Sequence, residues 1–173
     1  MQVSFLPGRR EDLKELDAAL TELLGAAVRT REVRRCISPM RDAADLVEAP
    51  EAAEVGVLVT ASGPAVHHML LLFSPRDARR IGGLLGEGDA PQERLLDACR
   101  ELGMIVAGRY LALLERLLKP AGVPQPPVSA VDMQAAIIES TVADAGASAT
   151  ASLFEIAVAL DPDPLTMRLI VLT

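Results

Sequence analysis

From Pro91 to about Leu118 the chain repeats apolar residues at helical spacing. Leu95, Cys99, Leu102, Val106, Leu113 and Leu117 fall on one stripe. Asp89 is a good N-cap and Pro91 sits inside the first turn, so the start of this long helix is marked as well as its body. One apolar stripe of that length needs a broad surface to cover it, and the rest of the sequence supplies strands.

Glu11 to about Ala27 reads as a first helix, with Leu13, Leu16, Leu20, Leu23 and Leu24 at helical spacing. Val28–Ile37 reads as a strand. Val55–Ala61 and Val66–Phe73 read as a hairpin joined across Ser-Gly-Pro. A second helix starts at Ser74, its N-cap, with Pro75 in the first helical position and Asp77 in the first turn. Gly86 or Gly88 ends it. KPAGVPQPPV is a stiff, proline-rich connection, and Val128–Ile138 reads as a strand after it. ADAGASATAS is a turn and loop. Leu153–Leu160 and Met167–Leu172 read as a closing hairpin across DPDP.

Three helices and about six strands, most of them in hairpins, predict one α+β domain over residues 1–173. Its helices should pack on one face of a largely antiparallel sheet. Both halves run helix, strand, hairpin, which hints at internal duplication.

Half of the residues are apolar, yet only 2% are aromatic and there is no Trp, so the core must be Leu, Val, Ile, Ala and Met. Stacking sites for bases, sugars or flavins are nearly absent, and no cofactor is expected. A net charge of −7 argues against nucleic acid as a partner. The arginines of RTREVRRC (Arg29, Arg31, Arg34 and Arg35) read as charges guarding an edge strand rather than as a patch for an acidic partner. No run approaches the ~20 apolar residues of a membrane span. The opening MQVSFLPGRR has the wrong order for a signal peptide, so a cytoplasmic protein is expected. Cys36 and Cys99 form no CxxC pair, and adjacent His67 and His68 point to opposite sides of a strand, so no metal site is expected.

One stretch points to function. In DACRELGMIVAG, at 100° per residue, Asp97, Glu101, Met104 and Gly108 fall within roughly one 60° stripe. Two acids in line suggest a site, and a methionine follows them on what should be the wet face. Gly103 and Gly108 each cost ~1 kcal/mol relative to Ala in such a helix, which suggests close approach by a packed element or a partner. Taken alone, these residues read rather as a solvated face, with Asp97 and Glu101 an ordinary pair flanked by Arg94 and Arg100.

LLDACRELGMIVAGRYLALLERLL resembles the signature helix of the CheC/CheX/FliY family of chemotaxis phosphatases. That helix carries an acid or Ser, then Glu, then Asn, a small-residue stretch and an apolar tail. Asp97 matches the first position, Glu101 the acid, and Ile105, Ala107, Gly108 and Tyr110 the stretch after the Asn. PPVSAVDMQAAII, AALTELLGAAV and VTASGPAVHHMLLLFSPRDARRIGGLLG are similar to further segments of the family, so the resemblance covers nearly the whole chain. Two departures stand out. The family's Asn falls on Met104. The second copy of the motif falls on Pro7 to Arg10, where neither an acid nor an Asn stands.

The resemblance implies a CheC-like fold and docking on the phosphorylated receiver domain of a CheY-like response regulator. In the family the Glu contacts the receiver's lysine, and the Asn amide orients the water that attacks the aspartyl phosphate. The receiver supplies the metal ion. An amide both donates to and accepts from water, whereas a thioether is a weak acceptor. Losing one oriented polar group costs roughly 10²–10³ in rate in other enzymes. Four residues are therefore expected at the docking face: Asp97, Glu101, Met104 and Gly108. Glu101 is the one catalytic candidate, and the chemistry is expected to be lost or reduced. A CheD-like deamidase is a further candidate partner. An active phosphatase would need another amide. Gln92 lies three turns before Met104, and Gln134 lies further along the chain. A structural role like that of a flagellar-switch middle domain is the third reading. The end at Thr173, where those proteins usually carry a further domain, is expected to count against it.

Overall fold

The computed structural model of the protein describes residues 10–46, 52–63, 66–86, 91–118, 122–145, 150–159 and 164–172. Helix α1 (Arg10–Leu24) leads into strand β1 (Arg29–Pro39), followed by a short 3₁₀ helix (Met40–Leu46). Next come β2 (Ala53–Ser62), β3 (His67–Phe73), α2 (Pro75–Leu84) and the long α3 (Gln92–Leu118). The chain continues through β4 (Val123–Pro124), β5 (Val128–Met133), α4 (Gln134–Ala145), β6 (Thr150–Ala159) and β7 (Leu165–Leu172).

Local chemistry sets the ends of these elements. Gly25 at φ 62° terminates α1, and its N–H donates to the Thr21 carbonyl at 3.1 Å. The Ser74 hydroxyl accepts from the Asp77 N–H at 3.1 Å, capping α2 as expected. Gly86 at φ 81° follows the last turn of α2. Asp89, Gly88, Pro7 and part of the ADAGASATAS loop lie outside the described residues.

All strands pair antiparallel in one seven-stranded sheet, ordered β1-β6-β7-β3-β2, with β4 and β5 both on the outer side of β2. The expected sheet of six strands gains the two-residue β4, which pairs with Ala61 and Ser62. Val128–Ile138 was expected to be one strand; the strand ends at Met133 and Gln134 begins α4. Ile137, Ile138, Thr141, Val142 and Ala145 recur at helical spacing, but the apolar run AAII at the front of the segment reads as strand or helix alike. The Gln134 N–H donates to the Ala52 carbonyl at 2.9 Å, which pins the change of direction.

The sheet is apolar on both faces. On one, Val55, Val57, Val59, Met69, Leu71, Phe73, Met167 and Leu169 meet α1, α2 and α3, the three expected helices. On the other, Leu70, Leu72, Leu153, Ile170 and Leu172 meet α4 and the 3₁₀ helix through Ile137, Ile138 and Ala43. Helices were expected on one face only. The fourth helix, hidden in the strand-like run, covers the second.

The two halves are equivalent in topology. Each runs helix, strand, short helix, hairpin: α1, β1, the 3₁₀ helix, β2, β3, then α3, β5, α4, β6, β7. Each half's first strand pairs with the other's second, β1 with β6 and β5 with β2. The two third strands, β3 and β7, meet at the centre.

Glu54 and His67 are among the polar groups buried in this frame. Glu54 on β2 accepts from Arg168 Nη2 on β7 at 2.6 Å, with the carboxylate almost fully buried and its Oε2 without a hydrogen-bond partner. Burial pushes its pKa above the ordinary carboxylate value and outweighs the opposing pull of Arg168. His67 on β3 is buried and its pKa is lowered, first by desolvation and then by His68.

Candidate functional site

Helices α1 and α3 lie side by side and run in opposite directions. Near the start of α1, Glu15 accepts two hydrogen bonds from Arg116 Nη2 at 2.6 and 2.7 Å. That pairing holds the Glu15 carboxyl below its usual range. Toward the other end of α1 the helices part into a groove of about 670 Å³. Ala19, Glu22 and Leu23 form one wall; Glu101, Met104, Ile105, Gly108 and Arg109 form the other.

Three of the four expected site residues meet here. Glu101 is exposed on the rim. Met104 is half-buried and, like Leu23 and Ile105, packs against the main core. A Cβ built on Gly108 meets nothing within 4 Å, so that turn of α3 is open to an approaching surface. Gly103, one turn earlier, has a different reason to be glycine. A Cβ there would stand 2.6 Å from Val57 Cγ1, so it is the point where α3 rests on β2.

Asp97 does not join them. It lies outside the groove, 61% exposed, and pairs with Arg100 Nη1 at 2.5 Å one turn along α3. Such an exposed i,i+3 pair contributes a few tenths of a kcal/mol at most. Residues from α1 were not foreseen. Glu22 brings a second carboxylate to the Glu101 end, and Arg109 gives the far end the opposite charge. The leucine pattern of α1 shows that the helix is amphipathic, but not that its Glu22 edge faces α3.

The groove holds carboxylates, a thioether, a guanidinium and apolar carbon, and among the described residues no amide lines it. Gln92 is exposed at the start of α3, and Gln134 is buried at the start of α4 beyond the sheet. Gln125 donates to Ser62 Oγ at 3.1 Å beside β4. Among the described residues no three His, Cys, Asp or Glu side chains come together as metal ligands. No helix among them is long and apolar enough to cross a membrane. The arrangement suits docking of another surface, with two acids to meet a cation and nothing to orient a water as an amide would.

No protein-family model matches the chain, and no curated protein matches it by sequence. Solved structures do match. FliY from Thermotoga maritima superposes with a TM-score of 0.67 at 13% identity, covering 97% of this chain and 91% of that one. A CheC-like superfamily protein from Shewanella sp. PV-4 gives 0.59 at 13% identity, covering 99% of both chains. The chain has the CheC/CheX/FliY fold. A structure of a FliG–FliM complex from H. pylori also matches, with a TM-score of 0.63 at 12% identity over 93% of this chain and 87% of that chain. The fold is thus shared by CheC-like proteins, by FliY and by a flagellar-switch protein solved in complex with a partner. At these identities the likeness is one of architecture, and the site must speak for itself.

Proposed function

We propose that this chain is a CheC-like signalling protein that docks on the receiver domain of a CheY-like response regulator through the α1–α3 groove. Its aspartyl-phosphate phosphatase chemistry is lost or reduced. The observation that carries the reading is the lining of the groove: Glu101 and Met104, which the resemblance matches to the family's acid and Asn, share one open wall, and among the described residues no amide stands beside them. Glu101 keeps a charge for a receiver's lysine. Met104 offers a flexible apolar contact, a role thioethers fill on adaptable binding surfaces.

The test is phosphate release from a phosphorylated receiver encoded near this chain's gene, comparing wild type with Met104→Asn. Wild type leaves the receiver's own rate unchanged, and Met104→Asn accelerates hydrolysis. Acceleration by wild type that Glu101→Ala abolishes establishes a working phosphatase instead. If both proteins are inert and neither binds any phosphorylated receiver or CheD-like protein of the same genome, the docking reading fails.

A second reading follows from the similarity to FliM bound to FliG. On it the chain is a structural interaction module of a flagellar-switch kind. Binding to switch proteins that does not depend on phosphorylation, with Glu101→Ala and Met104→Asn both neutral, favours that reading.

A further inference from the structure

The charged groups around the α1–α3 groove fall into two sets. Those just outside it are paired: Asp97 with Arg100, and Glu15 with Arg116 through both carboxylate oxygens. Those that line it are not. Among the described residues Glu22, Glu101 and Arg109 have no hydrogen-bond partner, and all three are exposed on the groove's walls. Arg109 comes within electrostatic reach of Glu15, but both oxygens of that carboxylate already accept from Arg116.

These groups are sorted by sign. Glu22 and Glu101 share one end of the groove, and Arg109 closes the other. At 1.5 Å of rise per residue, the stretch of α3 from Glu101 to Arg109 separates the opposite charges by about 12 Å. Met104 and Ile105 lie between them as apolar contact, and Gly108 leaves the helix surface open. A surface seated on this wall meets negative, apolar and positive ground in that order. Charges left without partners favour a surface of complementary pattern and penalise one that brings like charges against them.

We propose that Arg109 is the specificity residue of the groove, selecting receivers that carry an acid about 12 Å from the lysine that Glu101 meets. This inference rests on receiver docking as proposed above. A guanidinium can fork onto a carboxylate with two parallel hydrogen bonds, a geometry that a lysine ammonium lacks. With no side chain at Gly108, the receiver's surface can come close to α3 just before Arg109. A receiver with a lysine or arginine at that place meets Arg109 as a like charge and is rejected. Arg109 thus governs which receiver docks, whatever chemistry Glu101 and Met104 retain.

The test is the dissociation constant of the full chain for each receiver domain of the same genome, with beryllium fluoride as the phosphoryl mimic. The receiver that wild type binds loses at least about 10-fold in affinity for Arg109→Glu, with the circular-dichroism spectrum unchanged. The receiver's surface acids are then reversed to arginine one at a time. One reversal weakens binding to wild type and restores binding to Arg109→Glu, a swap that a merely structural role for Arg109 does not produce. Should Arg109→Glu unfold, Arg109→Gln decides: the reversal that weakens wild type leaves this variant's affinity unchanged. A receiver that binds wild type and Arg109→Glu alike overturns the assignment and leaves docking standing. So does a loss of affinity that no single reversal restores. Failure of every receiver to bind wild type removes the docking reading, and the role of Arg109 with it.

Discussion

Gly103→Ala and Gly108→Ala are the same chemical change, five residues apart on one helix, and the structure predicts opposite outcomes. Each removes a helical glycine, worth about 1 kcal/mol in backbone entropy. At Gly108 nothing offsets that gain, because the new methyl meets no atom within 4 Å. At Gly103 the methyl would lie 2.6 Å from Val57 Cγ1 and 3.3 Å from Val57 Cβ. Val57 is fully buried on β2 and its branched side chain has little rotamer freedom. Relief therefore requires α3 to lift, and α3 is held by Leu102, Val106 and Ala107 in the same core. Overpacking of this kind costs about 1–3 kcal/mol. Subtracting the helical gain leaves Gly103→Ala less stable than wild type by up to about 2 kcal/mol. For a chain of this length that lowers Tm by up to roughly 8 °C, while Gly108→Ala raises it by roughly 2–4 °C. Denaturant titration of both variants and of Gly103→Ala/Val57→Ala reads the numbers directly. The double variant should lose about 1–3 kcal/mol less than the sum of its singles, since the clash needs both groups. If Gly103→Ala is as stable as Gly108→Ala, α3 does not rest on β2 through Gly103.

Two further predictions concern the buried polar groups. Arg168→Met strands the Glu54 carboxylate in the sheet and costs about 3–5 kcal/mol at neutral pH. The loss shrinks on acidification, because the stranded acid escapes its penalty by taking a proton. Urea unfolding at neutral and mildly acid pH measures both, and a loss independent of pH counts against a buried charge. The second concerns His67, whose pKa is lowered from 6.5, so between its folded and unfolded values only the unfolded chain binds its proton. Its contribution to stability is therefore present above about pH 6.5 and fades as pH falls through that value. His67→Leu should flatten the decline in unfolding free energy between about pH 7 and pH 5. His68, also lowered by burial, retains the remainder of the slope. An unchanged slope would mean that His67 charges freely in the folded state.

What could be read from the sequence was whatever local periodicity and caps decide. Leu95 to Leu117 announces α3, Ser74 and Pro75 announce α2, and alternation around Ser-Gly-Pro announces the β2–β3 hairpin. The change at Met133 is not legible in the same way: strand gives way to helix just before the short apolar run Ala135–Ile138. Nothing local separates the two states, and the decision rests on Ile137 and Ile138 meeting Leu70 and Leu72 across the second face of the sheet. The site divided in the same way. Glu101, Met104 and Gly108 fall on one wall because helical spacing puts them there. Asp97 satisfies the same spacing but is turned aside to Arg100. Glu22 belongs to the other wall through the packing of α1 on α3, which no pattern within α1 contains.

The crossed pairing of the halves has a consequence for how this chain comes to be folded. Only β2–β3 and β6–β7 are pairings within a half; β1–β6, β2–β4, β2–β5 and β3–β7 all join residues from opposite halves. Phe73 must wait for Met167 and Arg29 for Ala159, so most of the sheet forms by contacts far apart in sequence, the slow kind. Neither half owns a closed core. Two separate polypeptides cut between α2 and α3 would each hold one hairpin and half a sheet face, and would find order only in each other. One half, brought together with a copy of itself, could trace the same order of strand pairings about an exact dyad.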